Sequence, residues 1–161
     1  MAKYVSSLLG AAASTTANSP NLLVEAAATG AGSVLAIHEL SLSGEASSST
    51  FVRFVLNRPS ARTVGGSPTT QVPQPLNPGS RAADYTVYTD LGSSTNAVTA
   101  GTVDLLVPAF NAFGGVYTWL AAPQGEIIIG TQGAGIGSQV VVLYSKSGTP
   151  TVSGHFIIEQ M

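Results

Sequence analysis

The chain has 161 residues, of which 44% are hydrophobic and only 9% are charged, with a formal net charge of −2 and no cysteine. This composition excludes a disulfide framework, a thiolate metal site and a cysteine nucleophile, and it does not fit a disordered or strongly basic protein. The length is typical of one domain with its own core, and no apolar run approaches the 18 residues of a membrane-spanning helix, so we expect no membrane partner.

Short β-branched or alternating runs, separated by clusters of Gly, Pro, Asn and Ser, predict strands along most of the chain. The predicted strands cover residues 22–25, 33–43, 50–57, 85–90, 102–108, 116–121, 126–131, 139–145 and 152–160. Their spacing is typical of a sandwich, so we predict an all-β, jelly-roll-like antiparallel β-sandwich formed by residues 1–161 as one domain. Residues 1–20 are predicted to be an N-terminal arm, in which only residues 2–17 have the alanine content of a marginal helix.

Turn residues support this division into strands. Pro123 and Gly125 predict a type I turn that begins at Ala122. Residues 146–150 carry a Ser-Gly turn between two strands, and the glycine-rich residues 133–137 are predicted to be a hairpin loop.

The segment from residue 59 to residue 81 differs from the rest of the chain because it holds five of the nine prolines. Proline has no backbone N–H, so this segment cannot supply a central strand. Two interpretations stay open. The segment is either the long connection of a β-sandwich or an extended arm that lies across a neighbouring subunit.

Basic residues concentrate in the same region, because residues 53–81 contain four arginines and no acidic residue. The arginines are Arg53, Arg58, Arg62 and Arg81. They are either independent surface residues or a docking site for an acidic protein, including a second copy of this chain. We expect no direct nucleic-acid partner, because the isoelectric point is about 5.5 and the basic residues are sparse.

The residues that usually carry catalysis do not form a recognisable motif. His38 and His155 lack the spacing of a metal site, and strand alternation predicts that Glu39 points to the face opposite His38. No nucleophile elbow or phosphate-binding loop is present. We therefore predict no enzyme activity, no cofactor and no metal.

The surface is expected to be neutral and rich in Ser, Thr, Gly and Ala. Isolated sandwich proteins protect their sheet edges with lysines, but Lys3 and Lys146 are the only lysines here. Low charge also gives little protection against association. Both features predict a subunit of a larger assembly.

Four segments carry a resemblance to a known family. They are residues 22–25 (LLVE), 30–40 (GAGSVLAIHEL), 125–130 (GEIIIG) and 148–159 (GTPTVSGHFIIE). Together they resemble small virion proteins of tailed bacteriophages, most closely the capsid decoration, or cement, proteins. The resemblance implies a β-sandwich that binds the major capsid protein on the outer surface of the virion, after assembly in the host cytoplasm.

The resemblance also implies a homotrimer, or a dimer, that bridges capsid subunits and stabilises the shell. The docking elements we predict are Arg53, Arg58, Arg62, Arg81, Pro73, Pro75, Tyr85 and Tyr88. Further aromatic residues are either interface anchors or core, namely Phe110, Phe113, Tyr117 and Trp119. The alternative function is a module of a head or tail fibre that recognises glycans on the host surface.

Overall fold

The computed structural model describes residues 1–12, 22–26, 34–59, 61–62, 69–89, 98–99, 103–130 and 140–161. Over these residues the chain forms fifteen strands and no helix. The strands are β1 (Ala2–Ala12), β2 (Leu22–Ala26), β3 (Val34–Glu45), β4 (Phe51–Asn57), β5 (Ala61–Arg62), β6 (Thr69–Gln71), β7 (Gln74–Pro75), β8 (Tyr85–Thr89), β9 (Val98–Thr99), β10 (Asp104–Leu106), β11 (Ala109–Asn111), β12 (Phe113–Leu120), β13 (Ile127–Gly130), β14 (Val140–Ser147) and β15 (Thr151–Gln160). The all-β prediction is confirmed.

The strands form two large antiparallel sheets and one small one. The six-stranded sheet has the order β12–β3–β15–β1–β7, and β13 also pairs with β3. The seven-stranded sheet has the order β10–β4–β14–β2–β8–β6, and β11 also pairs with β4. β5 and β9 form a separate two-stranded pair.

The two large sheets share one hydrophobic core, as expected for a sandwich. Leu40 and Phe156 enter it from the six-stranded sheet, and Phe54 and Leu143 enter it from the seven-stranded sheet. All four side chains are at most 1% exposed. Burying a side chain of this size stabilises the fold by about 1.5–3 kcal/mol, so the sheet-to-sheet contact dominates the stability.

The N-terminal residues form a strand and not an arm or a helix, which corrects the prediction for residues 1–20. β1 lies between β15 and β7, well inside the six-stranded sheet. Tyr4, Ser6 and Leu8 point into the core and are at most 2% exposed. This alternation has the period of a strand, and sheet pairing overrides the helical propensity of the alanines. Residues 13–20 lie outside the described part of the chain.

The proline-rich segment crosses between the sheets where it is described. β6 pairs with β8 at the edge of the seven-stranded sheet, and β7 pairs with β1 at the edge of the six-stranded sheet. Pro73, between them, is buried. The segment therefore closes one side of the sandwich with its own chain, as in a long connection, and β6 and β7 both lie at sheet edges, where proline is tolerated.

A second crossing closes the opposite side of the sandwich. β11 pairs with β4 in one sheet, Ala112 is fully buried, and β12 then pairs with β3 in the other sheet. The backbone N–H of Ala112 donates to Thr50 O over 2.7 Å.

Candidate interaction surface

The outer faces of the two large sheets differ in how exposed their apolar side chains are. On the seven-stranded sheet, Val55, Val140 and Val142 point away from the core, yet each is at most 1% exposed. On the six-stranded sheet, Leu9 and Leu120 are 78% and 65% exposed. Phe51 and Arg53 are exposed near the start of β4, but the three valines cover the centre of that face. The outer face of the six-stranded sheet is the more open of the two over the described residues, and we call it the open face.

A shallow trough of about 500 Å³ runs across the open face. Its lining combines aliphatic side chains with hydroxyls and carries no carboxylate or lysine among the described residues. The lining residues are Val5, Ser7, Leu9, Ser41, Ser43, Leu76, Ser153, Gly154, His155 and Ile157. Such a surface suits contact with an uncharged partner, since little polar surface has to lose its water on binding.

Two histidine–glutamate pairs lie on the same face and link β3 to β15. His38 Nε2 is 2.7 Å from Glu159 Oε2, and its Nδ1 is 3.9 Å from Glu126 Oε1. His155 Nε2 is 3.0 Å from Glu39 Oε1. The prediction that Glu39 points away from the face of His38 is therefore wrong. The β3–β15 register shifts at this point, and the extra residue of the resulting bulge brings both side chains to one face.

These pairs do not form a metal centre. Within the described ranges, no group of three or more His, Asp or Glu side chains could hold a metal ion. The glutamates instead bond to neighbouring strands, which leaves the open face poor in free charge.

The edge of the open face is formed by β12, and its outward side chains are uncharged. Val116 and Leu120 are each 65% exposed, while Tyr117 and Trp119 on the other face of the strand pack against the core. Phe113 is 60% exposed. Phe113 alone among the predicted aromatic anchors is largely exposed, whereas Phe110 is buried and stacks on Phe54 at 6.0 Å.

Two of the predicted docking residues are buried in this chain and offer no surface to a partner. Pro73 lies in the crossing described above, and Tyr85 is 5% exposed, with its ring edge-on to Tyr4 at 5.7 Å. Burial raises the pKa of the Tyr85 hydroxyl well above its usual range, although the nearby Ser6 hydroxyl opposes the effect. Among the described residues, neither hydroxyl has a partner with hydrogen-bond geometry.

The predicted arginines are not gathered on one surface. Arg53 is exposed on β4, in the seven-stranded sheet. Arg58 is half-buried, which lowers its pKa, and it donates from Nη2 to Ile128 O over 2.6 Å. Arg81 lies close to β1 in the other sheet, where its backbone carbonyl accepts from the Tyr4 hydroxyl and its side chain pairs with Asp84 at 2.7 Å.

The remaining predicted residues lie near the proline-rich crossing. Pro75 is half-buried in β7, and Tyr88 is half-buried in β8. The side chain of Arg62 falls outside the described part of the chain.

Sequence inspection did not single out the trough or the β12 edge. The available signal was the absence of charge from residues 113–120, together with alternating serines at 41 and 43 and at 153. These residues form one surface only if β12, β3 and β15 are neighbours in the sheet. That order depends on pairing between strands far apart in the sequence, which composition does not reveal.

A scan against protein-family models, a search of curated proteins and a search of solved structures each find no match to this chain. No helix long and apolar enough to cross a membrane occurs among the described residues. Function is therefore inferred from the residues of the chain itself.

Proposed function

We propose that this chain is a structural protein of a virus particle that binds the outer surface of the capsid and bridges major capsid subunits. The strand order carries the proposal. The main strands lie as β1–β15–β3–β12 in one sheet and β2–β14–β4–β11 in the other, and successive main strands mostly alternate between the sheets. We infer a jelly roll from this order, with β5 to β9 in an insertion. Jelly rolls are common in viral capsid proteins and lectins.

The open face supports a docking role. It combines exposed aliphatic side chains with few charged ones, and contiguous exposed apolar surface of this kind marks interaction sites. Leu9 and Leu76, on neighbouring parts of the trough, are 78% and 52% exposed. Contact with a capsid subunit would cover them, and a stable contact needs roughly 1,000–2,000 Å² of buried area.

The proposed mechanism is mechanical. A sandwich closed on both sides by its own chain resists shear, so it can hold two neighbouring capsid subunits at a fixed separation. Self-association would multiply the contacts made by each assembly.

Copy number per particle tests this function. Purified particles are digested, and this chain is quantified by mass spectrometry against the major capsid protein. Near parity with the capsid subunits is the expected result. Absence of the chain from particles would refute the proposal.

A matched pair of variants tests the docking face. Leu9→Asp places a charge on the open face, whereas Val72→Asp places the same charge at a 74% exposed position in the proline-rich crossing. We expect Leu9→Asp to lower particle occupancy at least about tenfold and Val72→Asp to leave it unchanged. Circular dichroism verifies that both variants fold. Equal occupancy of the two variants would show that the open face is not the docking surface.

Glycan recognition is the second candidate, and the hydroxyl lining of the trough favours it. Ser7, Ser41, Ser43 and Ser153 could exchange hydrogen bonds with sugar hydroxyls. Against it, the described lining holds no aromatic side chain on which a sugar ring could stack. Binding of the isolated protein to a glycan array, with only a few copies per particle, would favour this function over the capsid role.

A further inference from the structure

The edge strand β12 lacks most of the features that usually prevent strands from pairing between molecules. It is eight residues long and contains neither charge nor proline, and its register against β3 is irregular between Phe113 and Val116 but regular from Val116 to Leu120. On its outer side it pairs with no strand that the structure describes. A long, uncharged and apolar edge is a template for a further strand.

The other edges of the large sheets are short or interrupted. β7 has two residues and contains Pro75, and β6, β10 and β11 have three residues each, with an irregular register of β10 against β4. β13 has four residues, and the Arg58 side chain donates to its Ile128 carbonyl. These are the usual ways in which proteins block edge pairing. Among the described strands, the other edges are therefore short, interrupted or bonded to a side chain, while β12 is left open from Val116 to Leu120.

The hydrogen-bonding direction of β12 follows from its junction with β3. The N–H of Ala121 donates to His38 O over 2.8 Å, and the register continues with Leu120 opposite Glu39. Because residues of an antiparallel strand alternate between bonding inward and outward, Tyr117 and Trp119 bond to β3. Val116, Thr118 and Leu120 therefore direct their N–H and C=O groups away from the sheet.

We propose that β12 pairs antiparallel with β12 of a second copy of this chain, about a two-fold axis at Thr118. In this arrangement Thr118 lies opposite its own copy, and Val116 lies opposite Leu120 in both directions. Each of the three outward residues then exchanges backbone hydrogen bonds with the partner strand, and the two six-stranded sheets become one continuous sheet. Aliphatic and threonine pairs across strands add to its stability.

Charge on and around the edge favours a second copy over a different partner. The acidic residues that lie opposite β12 in register, Glu39 and Glu45, bond to His155 and Ser153 on the side of β3 away from β12. The edge itself offers no charge with which to select a complementary strand, whereas a two-fold axis matches its donors and acceptors with themselves. The net charge of −2 gives little repulsion between copies. The pairing does not depend on the capsid role.

Mass and amide exchange together test this pairing. Analytical ultracentrifugation of the full chain over a range of concentrations is expected to show reversible dimers of the 16.2 kDa chain. Hydrogen exchange resolved by NMR is expected to show amides of Val116, Thr118 and Leu120 that become protected as concentration rises. The amides of Tyr117 and Trp119 serve as internal controls, because β3 protects them at every concentration.

A charge substitution supplies the second test. Thr118→Lys would bring two lysines together on the axis, and we expect the dimer dissociation constant to rise at least about tenfold. Thr70→Lys is the matched control on β6, an exposed threonine at another edge, and should leave dimerisation unchanged. If Thr118→Lys fails to fold, the exchange experiment on the unmodified chain still decides. A monomer at all concentrations, a trimer, or a dimer without protection at residues 116, 118 and 120 would overturn the proposal.

Discussion

Gly44 on β3 lies directly against the backbone of Ala112, the buried residue at which the chain crosses from one sheet to the other. A β-carbon at position 44 would overlap the Ala112 carbonyl and Cα. The N–H of Ala46 donates to the same carbonyl over 3.0 Å, and this hydrogen bond holds Ala112 against the end of β3. The absence of a side chain at Gly44 therefore allows the crossing to approach β3 and places β12 at the sheet edge.

Gly44→Ala should destabilise the fold by about 3 kcal/mol, because the atoms that it meets belong to backbone and cannot rotate away. Gly79→Ala is the control, since its added β-carbon would lie 3.7 Å from Asn77 Oδ1, an ordinary contact. The control should be neutral or stabilising by up to about 1 kcal/mol. Urea unfolding measures both. Equal midpoints for the two variants would contradict the close approach at Gly44.

Much of the strand framework could be predicted from the sequence because the strongest runs alternate or are fully apolar. Each of the nine predicted segments overlaps an observed strand. For example, residues 140–145 of one segment lie in β14, and residues 152–160 lie in β15. Strict alternation holds in β3 as far as Ile37, with Leu35 and Ile37 both buried. The bulge at His38 then shifts the pattern, and single-strand periodicity cannot anticipate a bulge, since it arises from pairing with β15.

The predictions for the N-terminal residues and for the turn at Ala122 were wrong in their local backbone conformation. β1 is rich in alanine, serine and glycine, which have weak strand preference, and pairing with its neighbours β15 and β7 holds it as a strand. The turn from Ala122 to Gly125 exists, with the Gly125 N–H donating to Ala122 O over 2.8 Å. It is not type I, because Gln124 has a φ of 65°, which at the third position of the turn defines type II. The open β12 edge likewise depends on which strands pair, so composition alone could not locate it.

Leu40→Ala should cost about 2–5 kcal/mol of unfolding free energy. Leu40 is fully buried between the sheets, and its truncation leaves a cavity in addition to the lost apolar contact. Leu9→Ala, at a 78% exposed position on the open face, should change stability by less than about 0.5 kcal/mol. Chemical denaturation of both variants tests the assignment of core and surface. A large loss at Leu9 would mean that the open face is covered within the folded chain.

Stability should fall at alkaline pH because of Tyr85. Its pKa is raised in the folded state by burial, whereas an unfolded tyrosine titrates near 10. Below about pH 10 both states keep the proton and this residue gives no pH dependence. Above about pH 10 the unfolded state releases its proton while the folded state keeps it, so unfolding becomes more favourable.

Tyr85→Phe should remove that part of the alkaline loss. At pH 7 the variant should be as stable as the unmodified chain or slightly more so, because the missing hydroxyl lacks a described hydrogen-bond partner. Melting temperatures at pH 7, 9, 10 and 11 provide the comparison. Parallel alkaline losses in the two proteins would show that Tyr85 ionises as readily in the folded state as in the unfolded state.

Two pairs of equal length should differ in strength because they differ in exposure. His38–Glu159 and Arg81–Asp84 are both 2.7 Å apart, but the side chains are 23% and 16% exposed in the first and 69% and 39% exposed in the second. Water and salt screen the second pair, so its coupling free energy should be below about 0.5 kcal/mol. The first pair is a carboxylate hydrogen bond in a less hydrated site and should couple by about 1–2 kcal/mol.

Double-mutant cycles separate these values from other effects of each substitution. One cycle combines His38→Gln with Glu159→Gln, and the other combines Arg81→Gln with Asp84→Asn, each followed by urea unfolding at pH 7. Raising the salt concentration should weaken the exposed pair more than the half-buried one. A stronger coupling in the arginine pair would contradict this expectation. It would mean that the bulge in β3 positions the His38 side chain without help from Glu159. Backbone pairing and core contacts alone would then keep β3 and β15 in register.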